Sequence, residues 1–150
     1  MPSNKTRKNV SNKRKTVKSR GPNGSQTYII EIFLGMLNTV KLYHWKTFSF
    51  SEHKATDELY ENLNTHIDKF VEILLGKTET RIKSFSSNGS IAAFNDTKKS
   101  DFKSRVYEYR KFLINMNGNL DSRRDTDLLS VRDDILGDIN KFLYLLTFNM

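Results

Sequence analysis

The chain has 150 residues, a formal net charge of +8 and no cysteine. The lack of cysteine excludes disulfides, thiolate metal sites and cysteine nucleophiles, and the length predicts a single domain. Because the sequence shows neither a run of about 18 apolar residues nor a secretory signal, we expect an intracellular protein without a membrane span.

The excess positive charge lies entirely in the first 20 residues. Of the 25 lysines and arginines, eight lie in this segment, and the other 17 balance the 17 acidic residues. These eight are Lys5, Arg7, Lys8, Lys13, Arg14, Lys15, Lys18 and Arg20. Residues 1–25 are predicted to be a disordered basic arm, because they have little apolar surface to bury and end in linker residues. Such an arm can bind the phosphate backbone of nucleic acids. The alternative roles of a solubilising tail and a nuclear-import signal stay open.

Two long amphipathic helices are predicted in the first half of the remaining chain. The apolar stripe of the first runs from Ile30 to His44, over about five turns. The second helix is predicted to begin near Ser51, which can cap it, and to stop at Gly76. Its core-facing residues follow one another at steps of three and four. They are Leu59, Leu63, Ile67, Phe70 and Leu74.

Two more helices are predicted after a polar connection. Residues 77–100 are expected to form a crossover with a short helix near 91–94, since long connections without structure are uncommon in compact domains. The third helix is predicted over about 100–116 and the fourth over about 126–148, again from apolar residues at helical spacing. Residues 26–150 are therefore predicted to form an all-α four-helix bundle with one long crossover between helices 2 and 3.

The second helix carries a stripe of possible metal ligands away from its core face. This stripe consists of His53, Asp57, Asp68 and Glu72. At about 100° per residue, the four positions fall within about 100° of one another and away from the core stripe. A charged stripe of this kind is usually only solvated. Val71 and Leu75 share the face, however, and a mixed face of this kind favours a contact between subunits.

The four polar residues divide into two half-sites. His53 and Asp57 are one turn apart, and so are Asp68 and Glu72. Asp57 and Asp68 are about 16.5 Å apart along the helix axis, which is too far to share an ion that needs bonds of about 2 Å. One chain is therefore not expected to close the site. Two copies packed antiparallel through this face would bring opposite half-sites together at two equivalent places.

The order His44-Trp45, His53-x-x-x-Asp57 and Asp68-x-x-x-Glu72 resembles the ferroxidase motif of the Dps family, the miniferritins. The resemblance implies a ferritin-like bundle and an iron site between two subunits. The implied ligands are His44, His53 and Asp57 of one chain with Asp68 and Glu72 of its two-fold mate. Trp45 would lie near the site as an oxidisable neighbour, or serve packing alone.

Members of the Dps family assemble from such dimers into a hollow dodecamer that oxidises iron(II), usually with hydrogen peroxide, and stores a ferric mineral. Many bind DNA through lysine-rich N-terminal arms. The resemblance therefore implies that residues 1–20 bind DNA in this protein. A ferroxidase and a nucleoid-associated location are thus implied. The asparagine-rich and lysine-rich composition also resembles that of ferritin-like proteins of large DNA viruses.

Some features of the sequence keep alternatives open. The spacing from His44 to His53 is shorter than in the family, so His44 can equally be a core histidine. Lys54 and Lys69 flank the ligands and would compete with a cation. His66 lies on the flank of the core stripe and is predicted to be structural. The ligand set suits iron(II), manganese or zinc.

The alternative function is a non-catalytic architectural or virion protein that condenses nucleic acid, in a nucleus or a virion.

Overall fold

The structure is a computed structural model that describes residues 22–82 and 99–148. The basic residues of the predicted arm and the predicted short helix at 91–94 lie outside these ranges. The first helix begins at Pro22, inside the segment predicted as arm and linker. Proline suits the first turn of a helix, because its missing N–H would have no helical partner there. Within the described ranges, no helix is both long enough and apolar enough to cross a membrane.

Four α-helices account for most of the described residues. They are α1 (Pro22–Lys46), α2 (Phe50–Thr78), α3 (Lys99–Asn115) and α4 (Thr126–Leu145). One 3-10 turn, Met116–Gly118, continues α3. The predicted all-α fold is confirmed for the described part of the chain, where every regular element is helical. The last helix ends at Leu145 and not at Phe148 as predicted.

The predicted ends of α2 are both wrong by a short distance. Ser49, and not Ser51, caps the helix, since its side-chain oxygen accepts the backbone N–H of Glu52 at 3.3 Å. The helix also continues through Gly76. It ends at Thr78, and the next residue, Glu79, has a left-handed φ of 50° and donates its backbone N–H to the carbonyl of Gly76 at 3.2 Å. Either serine, Ser49 or Ser51, could cap a helix. The short turn before α2 therefore determines which of the two serines caps it.

The apolar stripes that define the predicted helices are buried against one another. Fully buried side chains come from all four helices and include Phe33, Leu63, Phe70, Phe102, Leu113, Ile135 and Ile139. Between α1 and α3, the rings of Tyr43 and Phe102 stack with centroids 3.9 Å apart. Further along, the hydroxyl groups of Thr39 and Tyr109 are hydrogen-bonded at 2.8 Å. Between these two contacts, the residue number falls from 43 to 39 on α1 and rises from 102 to 109 on α3. The two helices are therefore antiparallel.

The helix α2 packs between α1 and α4. The turn at 47–49 folds α2 back along α1, so these two helices are antiparallel. Across to α4, Nδ1 of His66 lies 2.6 Å from Asp138 and Nζ of Lys77 lies 3.0 Å from Asp127, which makes this pair antiparallel as well. Since α1 is antiparallel to both α2 and α3, the helices α2 and α3 run in the same direction.

Candidate metal-binding site

The turn between α1 and α2 brings His44 and His53 together. Their rings are stacked, with centroids 3.8 Å apart and planes inclined by 21°. The Nδ1 atom of each ring lies 2.9 Å from the backbone carbonyl oxygen of the other histidine. Because a carbonyl oxygen only accepts, each Nδ1 must carry the hydrogen and donate it. In the neutral rings, Nε2 is therefore the atom left to bind a metal.

His44 is held firmly against the start of α2. Its side chain is buried, with 7% of the residue exposed. Its Nδ1 also lies 3.2 Å from the hydroxyl of Thr56, which is fully buried and donates to the carbonyl of Glu52 at 2.7 Å. The shorter spacing between the two histidines therefore leaves His44 beside His53. The ring is at once part of the buried stripe and a neighbour of the candidate ligands.

Asp57 lies on the Nε2 side of His44. Its Oδ1 atom is 3.8 Å from Nε2 of His44 and 3.9 Å from Nζ of Lys41. The carboxylate is about half exposed, whereas the imidazole is buried. The structure thus brings three predicted ligands, His44, His53 and Asp57, to one place beside the turn.

Lys41 is a neighbour of the site that reasoning on α2 alone missed. Its ammonium lies 4.6 Å from the ring centre of Tyr60 and 5.7 Å from that of Trp45. It precedes Trp45 by one helical turn on α1, and this spacing is the signal that would have found it. Lys54, which was expected to compete with a cation, lies over the ring of Phe50 at 5.8 Å.

Asp68 and Glu72 lie on the same helix as His53 and Asp57, and both are exposed. Asp68 borders an open cavity of about 220 Å³ between α1 and α2. Within 22–82 and 99–148, no three His, Asp or Glu side chains are grouped closely enough to hold a metal ion by themselves. The two predicted half-sites are thus separate surfaces of one chain.

Glu52 is a buried carboxylate at the candidate site that the sequence did not single out. It is 4% exposed, accepts hydrogen bonds from Tyr43 at 2.7 Å and Thr47 at 3.1 Å, and pairs with Lys99 at 2.7 Å. Burial favours a higher pKa for Glu52, but the hydrogen bonds from Lys99, Tyr43 and Thr47 hold it below the usual 4.5. Burial and the adjacent carboxylate raise the pKa of Tyr43 well above its ordinary value.

A sequence signal for Glu52 does exist. Ser49-x-x-Glu52 is the pattern of a capping box, in which serine opens a helix and glutamate occupies its third position. Here Ser49 does cap α2, while the Glu52 side chain turns to Tyr43 and Thr47. The pattern therefore marks the true start of the helix.

The third histidine, His66, lies away from the candidate site. Its Nδ1 is 2.6 Å from the Asp138 carboxylate, and this contact joins α2 to α4. Both side chains are largely buried. This position fits the structural role predicted for His66.

The chain matches none of the curated proteins and none of the solved structures with which it was compared. A family profile does match it, over residues 44–146. The matched region begins at His44 and contains α2, α3 and α4 in full, which is more than half of the chain. The protein belongs to this family, which is described as a family of unknown function (DUF5856).

Proposed function

We propose that the protein is a Dps-like, ferritin-related protein that oxidises iron(II) at sites shared between two copies of the chain. The observation that carries the proposal is the half-site at the α1–α2 turn. There, His44 and His53 both keep Nε2 available, and the Nε2 of His44 lies 3.8 Å from the carboxylate of Asp57. A mixed set of imidazole and carboxylate ligands suits iron(II), and manganese or zinc would compete for it.

The spacing of these atoms fits a divalent cation. Ligand bonds of about 2.0–2.2 Å put two ligands of one ion up to about 4 Å apart. The 3.8 Å between Nε2 of His44 and Oδ1 of Asp57 falls within this limit. The ammonium of Lys41 lies 3.9 Å from the same oxygen, which therefore already faces a positive charge. When a metal ion binds, Lys41 can turn away on its flexible stem.

The other half of each site would come from a second copy. Asp68 and Glu72 are exposed on the ligand face of α2, and Val71 and Leu75 beside them are only half-buried. An antiparallel two-fold pairing would place Asp68 and Glu72 of each chain against His53 and Asp57 of the other chain, which makes two sites in each dimer. The shared direction of α2 and α3 supports a ferritin-like bundle, because such helices need a connection along the length of the bundle. We further propose that these dimers assemble into a hollow dodecamer.

In the proposed reaction, iron(II) is the substrate and hydrogen peroxide the oxidant. Two iron(II) ions lose one electron each, the O–O bond of one peroxide accepts both electrons and breaks, and two protons complete two water molecules. His44 and His53 orient the ions, and the carboxylates of Asp57, Asp68 and Glu72 stabilise their rising charge. The oxidised ions then hydrolyse and deposit as a ferric mineral.

The first test is iron oxidation by the purified full-length protein. Iron(II) followed by peroxide should give ferric absorbance faster than in buffer alone. We expect His53→Ala to lower the initial rate by about 10-fold or more, since it removes a ligand. His66→Ala is the matched control, because it removes an imidazole from the same helix outside the site, and it should keep the wild-type rate. Equal rates for wild type, His53→Ala and buffer would refute the proposal.

We also propose that the basic arm, residues 1–20, binds DNA. Each phosphate neutralised by the arm should contribute about 0.9 to the slope of log affinity against log salt, so binding should weaken steeply with salt. Deleting residues 1–20 should abolish the mobility shift of duplex DNA and leave iron oxidation unchanged. A full-length protein that gives no shift at low salt would show that the arm has another role.

A second candidate function is a non-catalytic architectural or virion protein, in a nucleus or a virion. The contact between Lys41 and Asp57 favours it, because the carboxylate already has a counter-ion within its own chain. In this role the bundle would oligomerise, and the many arms of one particle would condense nucleic acid with high avidity. A salt-sensitive DNA shift together with no protein-dependent iron oxidation would select this function over the first.

A further inference from the structure

We propose that Trp45 of each copy inserts into the cavity between α1 and α2 of its two-fold mate and so fixes the register of the shared site. The inference rests on the proposed pairing of two chains and identifies the contact that would specify it. Three features of the structure carry it: the exposure of Trp45, the shape and lining of the cavity, and the distribution of charge along the face.

Trp45 is a large aromatic side chain on the ligand face. It is 66% exposed. Lys41 approaches both its ring, at 5.7 Å, and the Asp57 carboxylate, at 3.9 Å, so Trp45 and Asp57 lie on the same side of the bundle. The carbonyl of the preceding residue, His44, accepts from His53, and this places Trp45 at the level of His53 along α2. An indole buries about 150–250 Å² in a contact, so its exposure leaves a strong driving force for association.

The cavity lies further along the same pair of helices. It has a volume of about 220 Å³ and is open to solvent. Its walls are mostly aliphatic, from Ile30, Leu34, Leu37, Ile67 and Val71, with Asn64 and Asp68 as its polar lining. A cavity of about 150 Å³ can accept a benzene ring, so this one has room for an indole. The Asp68 carboxylate can accept the indole N–H, which needs a partner when it is buried.

The two-fold axis that completes the proposed site also brings these features together. Pairing the His53 end of one α2 with the Glu72 end of the other centres the axis near residue 62 or 63 of both helices, by an approximate count of residues. The level of His53, where Trp45 lies, then falls opposite the partner's 68–72. The exposed indole thus meets the end of the cavity formed by Asp68 and Val71.

The charges of the face complement one another in this arrangement. Around the turn, three lysines, Lys41, Lys46 and Lys54, accompany the half-exposed carboxylate of Asp57. The exposed carboxylate of Glu58, next along α2, is paired with Lys141 of α4. Towards the cavity, α2 presents the carboxylates of Glu61, Asp68 and Glu72 together with the ammonium of Lys69. Antiparallel pairing puts the basic end of each copy against the acidic end of the other, whereas parallel pairing would oppose like charges. A second copy is therefore the occupant that the cavity and its surroundings fit best.

The single tryptophan of the chain makes the test direct. Tryptophan emission and acrylamide quenching are measured on the full-length protein without added metal, with the mass of the particles measured in parallel. We expect the wild type to associate and to give blue-shifted emission that is several-fold less quenched than a free indole. Asn64→Arg should abolish this protection, because an exposed residue at the cavity becomes a long cation that can pair with Asp68 one turn away. Asn140→Arg, the same change at an exposed position of α4, should behave like wild type.

A second variant measures the contribution of the contact. Trp45→Ala should raise the dissociation constant of the pair by about 30-fold or more, the effect of an interface hot spot. It should leave the fold intact, since the side chain is mostly exposed within one chain. An associated wild type whose Trp45 is quenched as readily as in Asn64→Arg would overturn this inference, and measured iron oxidation would still support the proposed function. A wild type that stays monomeric would overturn both.

Discussion

Each histidine of the α1–α2 turn uses one ring nitrogen to hold the backbone of the other. The paired bonds from Nδ1 of His44 and His53 keep both rings in the form that leaves Nε2 free. Ligating histidines in metal sites are commonly oriented by a hydrogen bond from their second nitrogen in this way. A metal ion would therefore meet side chains that already have the correct tautomer.

Lys41 competes with a metal ion for the carboxylate of Asp57. The free energies of the two interactions show which of them prevails. An ion pair of half-exposed side chains such as Lys41 and Asp57 contributes about 0–1 kcal/mol, because water screens both charges. Metal ligation by several residues is far stronger, as shown by apparent binding energies of about 10–16 kcal/mol for structural zinc. The ammonium is thus a replaceable counter-ion for Asp57 and is no barrier to a divalent cation.

At the scale of elements, Glu52 joins the ends of three helices. Tyr43 belongs to α1, Glu52 to α2 and Lys99 to α3, and all three meet next to the histidine pair. The backbone carbonyl of Glu52 also accepts from Thr56, which contacts His44. A change in the ionisation of Glu52 should therefore act on the junction of three helices and on the position of the candidate site.

This junction predicts a pH-dependent stability. Because the pKa of Glu52 is depressed in the folded protein, its charge stabilises the fold above about pH 4.5, and this stabilisation is lost as the pH falls through the lower, folded value. We expect Glu52→Gln to lower the free energy of unfolding by about 2 kcal/mol at pH 7, since Lys99 and Tyr43 lose a charged partner. The difference from wild type should be smaller at pH 3 than at pH 7, because the stabilisation by the Glu52 charge is progressively lost below about pH 4.5.

Urea unfolding at pH 7 and pH 3 measures this difference. Glu61→Gln is the matched control, since Glu61 is an exposed glutamate of the same helix. It should change the free energy of unfolding by less than about 0.5 kcal/mol at either pH. A Glu52→Gln variant as stable as Glu61→Gln at pH 7 would show that the junction does not stabilise the fold.

The sequence predicts most of the helices but little of this junction. Apolar periodicity is a property of one helix, and the stripe from Leu59 to Leu74 is buried as predicted. The contact of Glu52 with Lys99 joins residues far apart in the chain, and no pattern along a single helix encodes it. The reciprocal bonds of His44 and His53 likewise depend on how the turn brings two backbones together. The spacing of the ligands predicts which side chains share a face, and folding decides which of them meet.

At the scale of the whole molecule, the proposed site exists only when two chains pair. Each dimer would contain two sites, and each site would take its histidines and Asp57 from one chain and Asp68 and Glu72 from the other. This division can be tested with variants that are each inactive. In a mixed dimer of His53→Ala with Asp68→Ala, both changes fall in the same site. The other site then has all of its natural ligands.

We therefore expect activity to return when the two inactive variants are mixed. After unfolding and refolding together, random pairing makes half of the dimers mixed, each with one of its two sites intact, so about one quarter of the wild-type rate should appear. The initial rate of ferric absorbance after iron(II) and peroxide measures it. Each variant refolded alone is the control and should stay inactive. A site contained within one chain would show no recovery in the mixture, because every copy of it would carry one of the two changes.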